Sequence, residues 1–107
     1  MPRIPTEKIA EAARLLREAA DPVRIILFGS QARGEAGEDS DLDFLVVERE
    51  VPDRHSEMVR LRDALRPLLV PVDVLVASDQ QIRDWGDVPG TVYHEALREG
   101  TVLYDAP

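Results

Sequence analysis

Apolar positions change their spacing along the chain. Between residues 6 and 20 they recur every three or four positions, which predicts an amphipathic helix. Short apolar runs follow at residues 23–28, 42–47 and 72–77, and each has the length and composition of a strand. Further helices are predicted at residues 54–69, 79–84 and 89–98, with Gly100 closing the last, and a small edge strand at residues 101–104.

The order of these elements predicts the fold class. Helices alternate with strands, and the strands are apolar on both faces, which favours an α/β (α+β) fold whose sheet is covered by helices. No repeat, linker or low-complexity tract interrupts the 107 residues. We therefore expect residues 1–107 to form one domain.

Charged residues are distributed unevenly along the chain, and their balance argues against some classes of function. The net charge is −8, and residues 35–57 carry nine acidic and only two basic side chains. An acidic protein is poorly suited to bind a nucleic-acid backbone, so no direct nucleic-acid binding is expected. Most of these acidic residues are interpreted as a solvated surface. The absence of cysteine excludes disulfides and thiolate metal sites.

The chain also lacks the signals of membrane or secreted proteins. No apolar run approaches the roughly 20 residues that span a bilayer, and the first residues contain no apolar signal core. We expect a cytoplasmic protein with no membrane partner.

Asp41 and Asp43 open the second predicted strand. On a strand, residues two positions apart point to the same face, so their carboxylates would lie side by side and repel each other. A hard divalent cation resolves such repulsion, and carboxylate oxygens suit Mg²⁺. The plainer interpretation is a turn at the start of the strand, where Ser and Asp side chains bond to the backbone.

Asp73 is the one acid in the apolar run "LLVPVDVLVA". Burying a lone carboxylate in a central strand is costly, so something must compensate for it. A cation shared with Asp41 and Asp43 would do so. An edge strand that exposes Asp73 to solvent, or an arginine partner, would serve equally well.

Gly29 and Ser30 follow the first strand and have the chemistry of a phosphate site. Glycine permits close approach to the backbone, and the N–H groups at the start of a following helix favour an anion. Arg33, one turn further on, would reach the same anion. Alternatively, Ser30 is an ordinary helix cap. Taken together, the phosphate site and the three carboxylates predict binding of Mg²⁺–nucleotide.

The pattern Gly29-Ser30, ten further residues and then Asp41-Leu42-Asp43 resembles the signature of the DNA polymerase beta-like nucleotidyltransferases. The stretch "GSQARGEAGEDSDLDFLVV", Arg33 included, resembles the minimal nucleotidyltransferases of that superfamily. This resemblance implies a small mixed sheet of three to four strands, with the second strand central and helices packed on one side. It further implies metal ligation and catalysis by Asp41, Asp43 and Asp73, and phosphate binding by Gly29, Ser30 and Arg33.

The same resemblance implies a reaction and a partner. Two Mg²⁺ ions would assist transfer of AMP from ATP to a tyrosine of a helical HEPN-type toxin, in a hetero-oligomer in which this chain is the antitoxin. Two other interpretations stay open. The chain could block its partner by contact without catalysis, or serve as the nucleotidyltransferase subunit for a small-molecule or RNA acceptor.

Overall fold

The computed structural model describes residues 6–29 and 42–107. Within them the chain forms α1 (Thr6–Ala19), β1 (Arg24–Phe28), β2 (Leu42–Glu48), α2 (Arg54–Ala64), β3 (Val72–Ser78), α3 (Asp79–Trp85), α4 (Val92–Glu99) and β4 (Thr101–Asp105). A single 3₁₀ turn, Arg66–Leu68, follows α2. No helix in this described part of the chain is long and apolar enough to cross a membrane.

The strands form one mixed sheet in the order β3-β2-β1-β4. Strand β1 runs antiparallel to both β2 and β4, whereas β2 and β3 run parallel. Strand β2 is thus an inner strand, and β3 and β4 are the two edges. The predicted fold class, a small mixed sheet with helices packed on it, is confirmed.

Helices cover both faces of the sheet, so the expectation that they pack on one side was wrong. Helices α1 and α2 cover one face, where the core consists of Leu16, Ile25, Phe44, Leu61, Val74 and their neighbours. Helices α3 and α4 cover the other face, over Ile26, Leu45, Val47, Ala77 and Ala96. The cause is topological: β3 and β4 are opposite edges, and the chain between them crosses the second face as α3 and α4.

Two helix ends differ from the prediction for local reasons. Helix α2 stops at Ala64 instead of continuing to residue 69, because Pro67 has no N–H to donate and its ring disfavours a continuing helix. Helix α4 begins at Val92, three residues later than predicted, where the Thr91 hydroxyl accepts a bond from the His94 N–H.

Gly100 does end the last helix, but not through a left-handed conformation. Its φ is −80°, which any residue adopts. Glycine is needed there for space, since a Cβ would overlap the Ala96 carbonyl and the Ile26 side chain and lie 2.9 Å from the Leu27 carbonyl oxygen. The close approach brings the end of α4 against β1 and leads directly into β4.

Candidate functional site

Strand register brings two of the predicted site residues together. In the parallel pair β2–β3, Asp43 and Asp73 are direct Cα partners. Residues paired in this way project to the same face of the sheet. Both are the second residue of their strand, so the two carboxylates lie at one end of the sheet, on the face that α3 and α4 cover further along.

Gly29 completes this end of the sheet from the neighbouring strand. Phe28, the last residue of β1, pairs with Asp43, so Gly29 follows immediately beside the acid. Its φ is +79°, in the left-handed region that favours glycine. A Cβ at Gly29 would overlap Asp43 Oδ2 and lie 3.1 Å from Asp43 Cγ. The missing side chain therefore makes room for the carboxylate. We refer to Gly29, Asp43 and Asp73 as the acidic edge.

The other three predicted site residues, Ser30, Arg33 and Asp41, lie outside the described residues. Their roles stay predictions, and the described geometry concerns only half of the predicted set.

The charge of Asp73 is stabilised by its exposed position and by an arginine. Strand β3 is an edge strand, and the Asp73 side chain is 60% exposed. Arg62 on α2 donates from Nη2 to Asp73 Oδ1 over 3.5 Å, and its own side chain is 59% exposed. The desolvation cost considered from the sequence does not arise, because water solvates this carboxylate. Such an exposed, long ion pair is weak.

The acidic edge fits a hard divalent cation in its donor chemistry. Among residues 6–29 and 42–107 there is no group of three or more His, Cys, Asp or Glu side chains that would hold a metal ion. However, Mg²⁺ ordinarily takes one or two protein carboxylates and completes its octahedron with water and phosphate oxygens. Two carboxylates in register, beside a glycine that leaves space for one of them, meet that requirement.

A second acidic pair consists of Glu48, at the opposite end of β2, and Glu57 on α2. The sequence did not lead us to predict it. Glu48 was interpreted as part of the solvated acidic surface, yet its Oε2 is buried and has no hydrogen-bond partner among the described residues. Burial, followed by a hydrogen bond with the Glu57 carboxyl, raises the pKa of Glu48 to about 7. Its position in the strand could have indicated this burial, because Leu42, Phe44 and Val46 point to the same face as Glu48 and are buried.

Arg60 holds the second member of this pair. It donates from Nε to Glu57 Oε1 over 2.8 Å and from Nη2 to Glu57 Oε2 over 2.7 Å, and it also bonds the Ala19 carbonyl. The bonds from Arg60 to its carboxylate lower the pKa of Glu57. One carboxyl of the pair is thus favoured as the acid and the other as the carboxylate. We refer to Glu48 and Glu57 as the half-buried acid pair.

Comparison with known proteins identifies related sequences and folds. The family model described as "Polymerase beta, Nucleotidyltransferase" matches residues 7–107. A protein of Methanocaldococcus jannaschii, named "putative protein adenylyltransferase", is 34% identical over 67 residues. That match covers 63% of this chain and 65% of the relative, so the matched part is less than two thirds of the relative's length.

Two solved structures resemble the chain over nearly all of its length. One, described as a "putative minimal nucleotidyltransferase", is 35% identical with a TM-score of 0.61, and the match covers 92% of this chain and 96% of that chain. The other, a toxin-antitoxin complex with AMP-PNP, has a TM-score of 0.69 and 21% identity, and the match covers 96% of this chain and 75% of that chain. At 21% identity the likeness concerns the fold.

Proposed function

Because the chain belongs to the polymerase beta nucleotidyltransferase family, we propose that it is a Mg²⁺-dependent enzyme that transfers AMP from ATP to a hydroxyl group. The observation that carries the proposal is the register of β2 and β3, which pairs Asp43 with Asp73 beside Gly29. Two carboxylates at a solvent-exposed sheet end, next to a glycine turn, are suited to bind metal and phosphate oxygens.

The proposed reaction assigns a task to each residue of the site. The acceptor oxygen forms a bond to the α-phosphorus of ATP, the bond from that phosphorus to the bridging oxygen breaks, and pyrophosphate leaves with the electron pair. Asp73, the exposed acid, accepts the proton of the acceptor hydroxyl. Asp41, Asp43 and Asp73 would hold two Mg²⁺ ions, which when bound neutralise phosphate charge and activate the acceptor oxygen. Gly29, Ser30 and Arg33 would hold the phosphates.

For the acceptor we propose a tyrosine on a helical HEPN-type toxin, with this chain as the antitoxin in a cytoplasmic complex. One relative is named as a protein adenylyltransferase, and one fold relative is a toxin-antitoxin complex with the ATP analogue AMP-PNP. Both support a protein acceptor and an adenine nucleotide. We further propose that residues 1–107 act as one catalytic domain, with the acceptor supplied by the partner.

The test is intact-mass analysis of the partner after incubation with the chain, ATP and Mg²⁺. We expect the partner to gain the mass of AMP and lose its toxicity, and Asp43→Asn to abolish the gain while the complex still forms. Glu50→Gln is the matched control, because Glu50 is an exposed acid two residues beyond the far end of β2. It should transfer AMP as the wild type does.

Three outcomes would contradict parts of the proposal. If Asp43→Asn protects cells as well as the wild type, the chain acts by contact and is not a catalytic antitoxin. If AMP appears on an RNA or a small molecule while the partner stays unmodified, the transferase activity stands but the protein acceptor is wrong. If no acceptor gains AMP, the enzymatic proposal fails.

A further inference from the structure

We propose that Arg62 is a specificity-determining residue of the acidic edge that favours the Mg²⁺–nucleotide complex over the bare metal ion. It pairs with Asp73 when no nucleotide is bound and turns to the triphosphate when Mg²⁺–ATP binds. This inference rests on the proposed function and adds to it a residue on α2, outside the Gly-Ser and Asp-Leu-Asp segments that carry the family resemblance.

The ion pair between Arg62 and Asp73 can be broken easily, so that Arg62 can bind a phosphate instead. Nη2 of Arg62 lies 3.5 Å from Asp73 Oδ1, and both side chains are more than half exposed. A long, solvated ion pair contributes little to stability, so breaking it costs little. The guanidinium has five N–H donors in a planar fork that matches phosphate oxygens. Arg62 therefore loses little when it leaves Asp73 and gains charge-assisted bonds when it meets a phosphate.

The neighbouring arginines are engaged elsewhere. Arg60 bonds both carboxylate oxygens of Glu57 as well as the Ala19 carbonyl. Arg66 pairs with Asp63, three residues before it, and Arg83 pairs with Asp79 over 2.7 Å. Arg62, by contrast, forms its ion pair with Asp73 of the acidic edge.

Its charge has opposite effects on the two ligands that compete for this edge. A bare divalent cation bound by Asp73 would be repelled by the guanidinium nearby. A metal–nucleotide complex brings a polyphosphate with net negative charge, which the same guanidinium attracts. In a chain of net charge −8, Arg62 beside Asp73 thus weakens the binding of free metal and strengthens the binding of metal–nucleotide.

The test measures both ligands on the same variants. Bare Mn²⁺, used as the spectroscopic probe in place of Mg²⁺, is titrated by electron paramagnetic resonance, and AMP-PNP with Mg²⁺ is titrated by calorimetry. For Arg62→Gln we expect Mn²⁺ to bind roughly three- to tenfold more tightly and Mg²⁺–AMP-PNP to bind more weakly by a similar factor. Arg62→Lys keeps the charge without the planar fork, so it should stay near the wild type for Mn²⁺ and lose part of the nucleotide affinity.

Arg66→Gln is the matched control, because it removes the same charge one turn further along from a side chain paired with Asp63. We expect it to change either affinity by no more than about twofold, since solvent screens charges that make no direct contact. Melting temperatures without ligand establish that all variants are folded.

The outcomes separate this inference from the proposed function. The inference is supported if Arg62→Gln binds Mn²⁺ more tightly and Mg²⁺–AMP-PNP more weakly, while Arg66→Gln changes neither affinity. Equal changes of affinity in the two variants, or no change in the affinity of Arg62→Gln for either ligand, overturn it. The proposed site still stands in that case if the wild type binds both ligands and Asp43→Asn does not. If the wild type binds neither Mn²⁺ nor Mg²⁺–AMP-PNP, the proposed function and the inference fail together.

Discussion

Each end of strand β2 contributes one acid to a pair, Asp43 with Asp73 of β3 and Glu48 with Glu57 of α2, and the two pairs resolve like-charge repulsion in different ways. At its start, Asp43 lies opposite Asp73 of the edge strand, and Asp73 is open to water. At its far end, Glu48 lies on the opposite face, against α2, with one oxygen buried and without a partner among the described residues. The two pairs differ in strand parity and in access to solvent.

The difference shows what makes an acidic pair suitable for a metal. In the half-buried acid pair, partial removal from water favours protonation, and the pKa of Glu48 rises to about 7. A carboxyl that keeps its proton near neutral pH is a poor ligand for a hard cation. At the acidic edge, solvent and a weakly held arginine leave Asp73 accessible. A count of carboxylates therefore does not identify the candidate site; exposure and partners do.

The largest expected effect comes from neutralising Asp43 at the acidic edge. We expect Asp43→Asn to lower the rate of AMP transfer by roughly 1000-fold or more, on the order of 4 kcal/mol of transition-state stabilisation, because a metal ligand is lost. Glu48→Gln is the counterpart at the other end of the same strand. It should leave the transfer rate within about twofold, since Gln resembles the protonated form already favoured there.

Rates of AMP transfer at saturating ATP and Mg²⁺ check this pair of variants. If Glu48→Gln is as slow as Asp43→Asn, the two ends of β2 are not functionally distinct, and the comparison fails. If Asp43→Asn retains the wild-type rate, Asp43 is not a ligand of the catalytic metal.

The next effect concerns the glycine that makes room for Asp43. Gly29→Ala combines a strained φ of +79° with a Cβ that overlaps Asp43 Oδ2. Gly90→Ala, the matched control, has a φ of +91° but no heavy atom within 4 Å of the added Cβ. Each should lose on the order of 1 kcal/mol of unfolding free energy from strain, and Gly29→Ala should lose about 1–2 kcal/mol more.

Urea unfolding of the two variants measures the difference, and Mn²⁺ affinity reports on the site. Gly29→Ala should weaken Mn²⁺ binding because Asp43 must move, whereas Gly90→Ala should bind Mn²⁺ as the wild type does. Equal stability losses together with equal Mn²⁺ affinities would show that glycine is needed at position 29 for the backbone conformation of the turn and not to make room for the Asp43 carboxylate.

Much of the fold could be predicted from local patterns, while the arrangement of the strands could not. The apolar runs placed β2 and β3 within one residue of their observed ends, because such runs are the direct signal of a buried strand. Whether Asp73 lies beside Asp43 depends on strand order, which no local pattern contains. The second helical layer was missed for the same reason, since it follows from β3 and β4 being opposite edges.

The candidate site was predicted in part, through chemistry that residue types and spacing reveal. Gly29, Asp43 and Asp73 could be singled out because a glycine turn and acids in apolar runs are unusual. Arg62 could not, because a basic position on a helix gives no sign of the strand that its side chain reaches. Glu48 could have been found from strand parity, since every second residue before it in β2 is buried.

The smallest expected effect is a pH dependence of stability that belongs to the half-buried acid pair. The pKa of Glu48 is about 7 in the folded chain against an ordinary value of 4.5, so the folded state holds its proton more tightly than the unfolded state. The stability that this proton contributes is fully present below about pH 4.5 and is lost as the pH rises through 7. The pKa of Glu57 is lowered, so its contribution has the opposite sign and is lost only below about pH 4.5.

Glu48→Gln should therefore remove a downward slope of unfolding free energy between about pH 4.5 and 7. At about pH 8 it should be more stable than the wild type by on the order of 1 kcal/mol, a value reduced for the partial exposure of Glu48. The exposed control Glu50→Gln should keep the wild-type slope, which urea titrations across this pH range will measure. Parallel curves for Glu48→Gln and the wild type would mean that folding does not raise the pKa of Glu48. The half-buried acid pair would then not differ from the acidic edge in the way that this comparison requires.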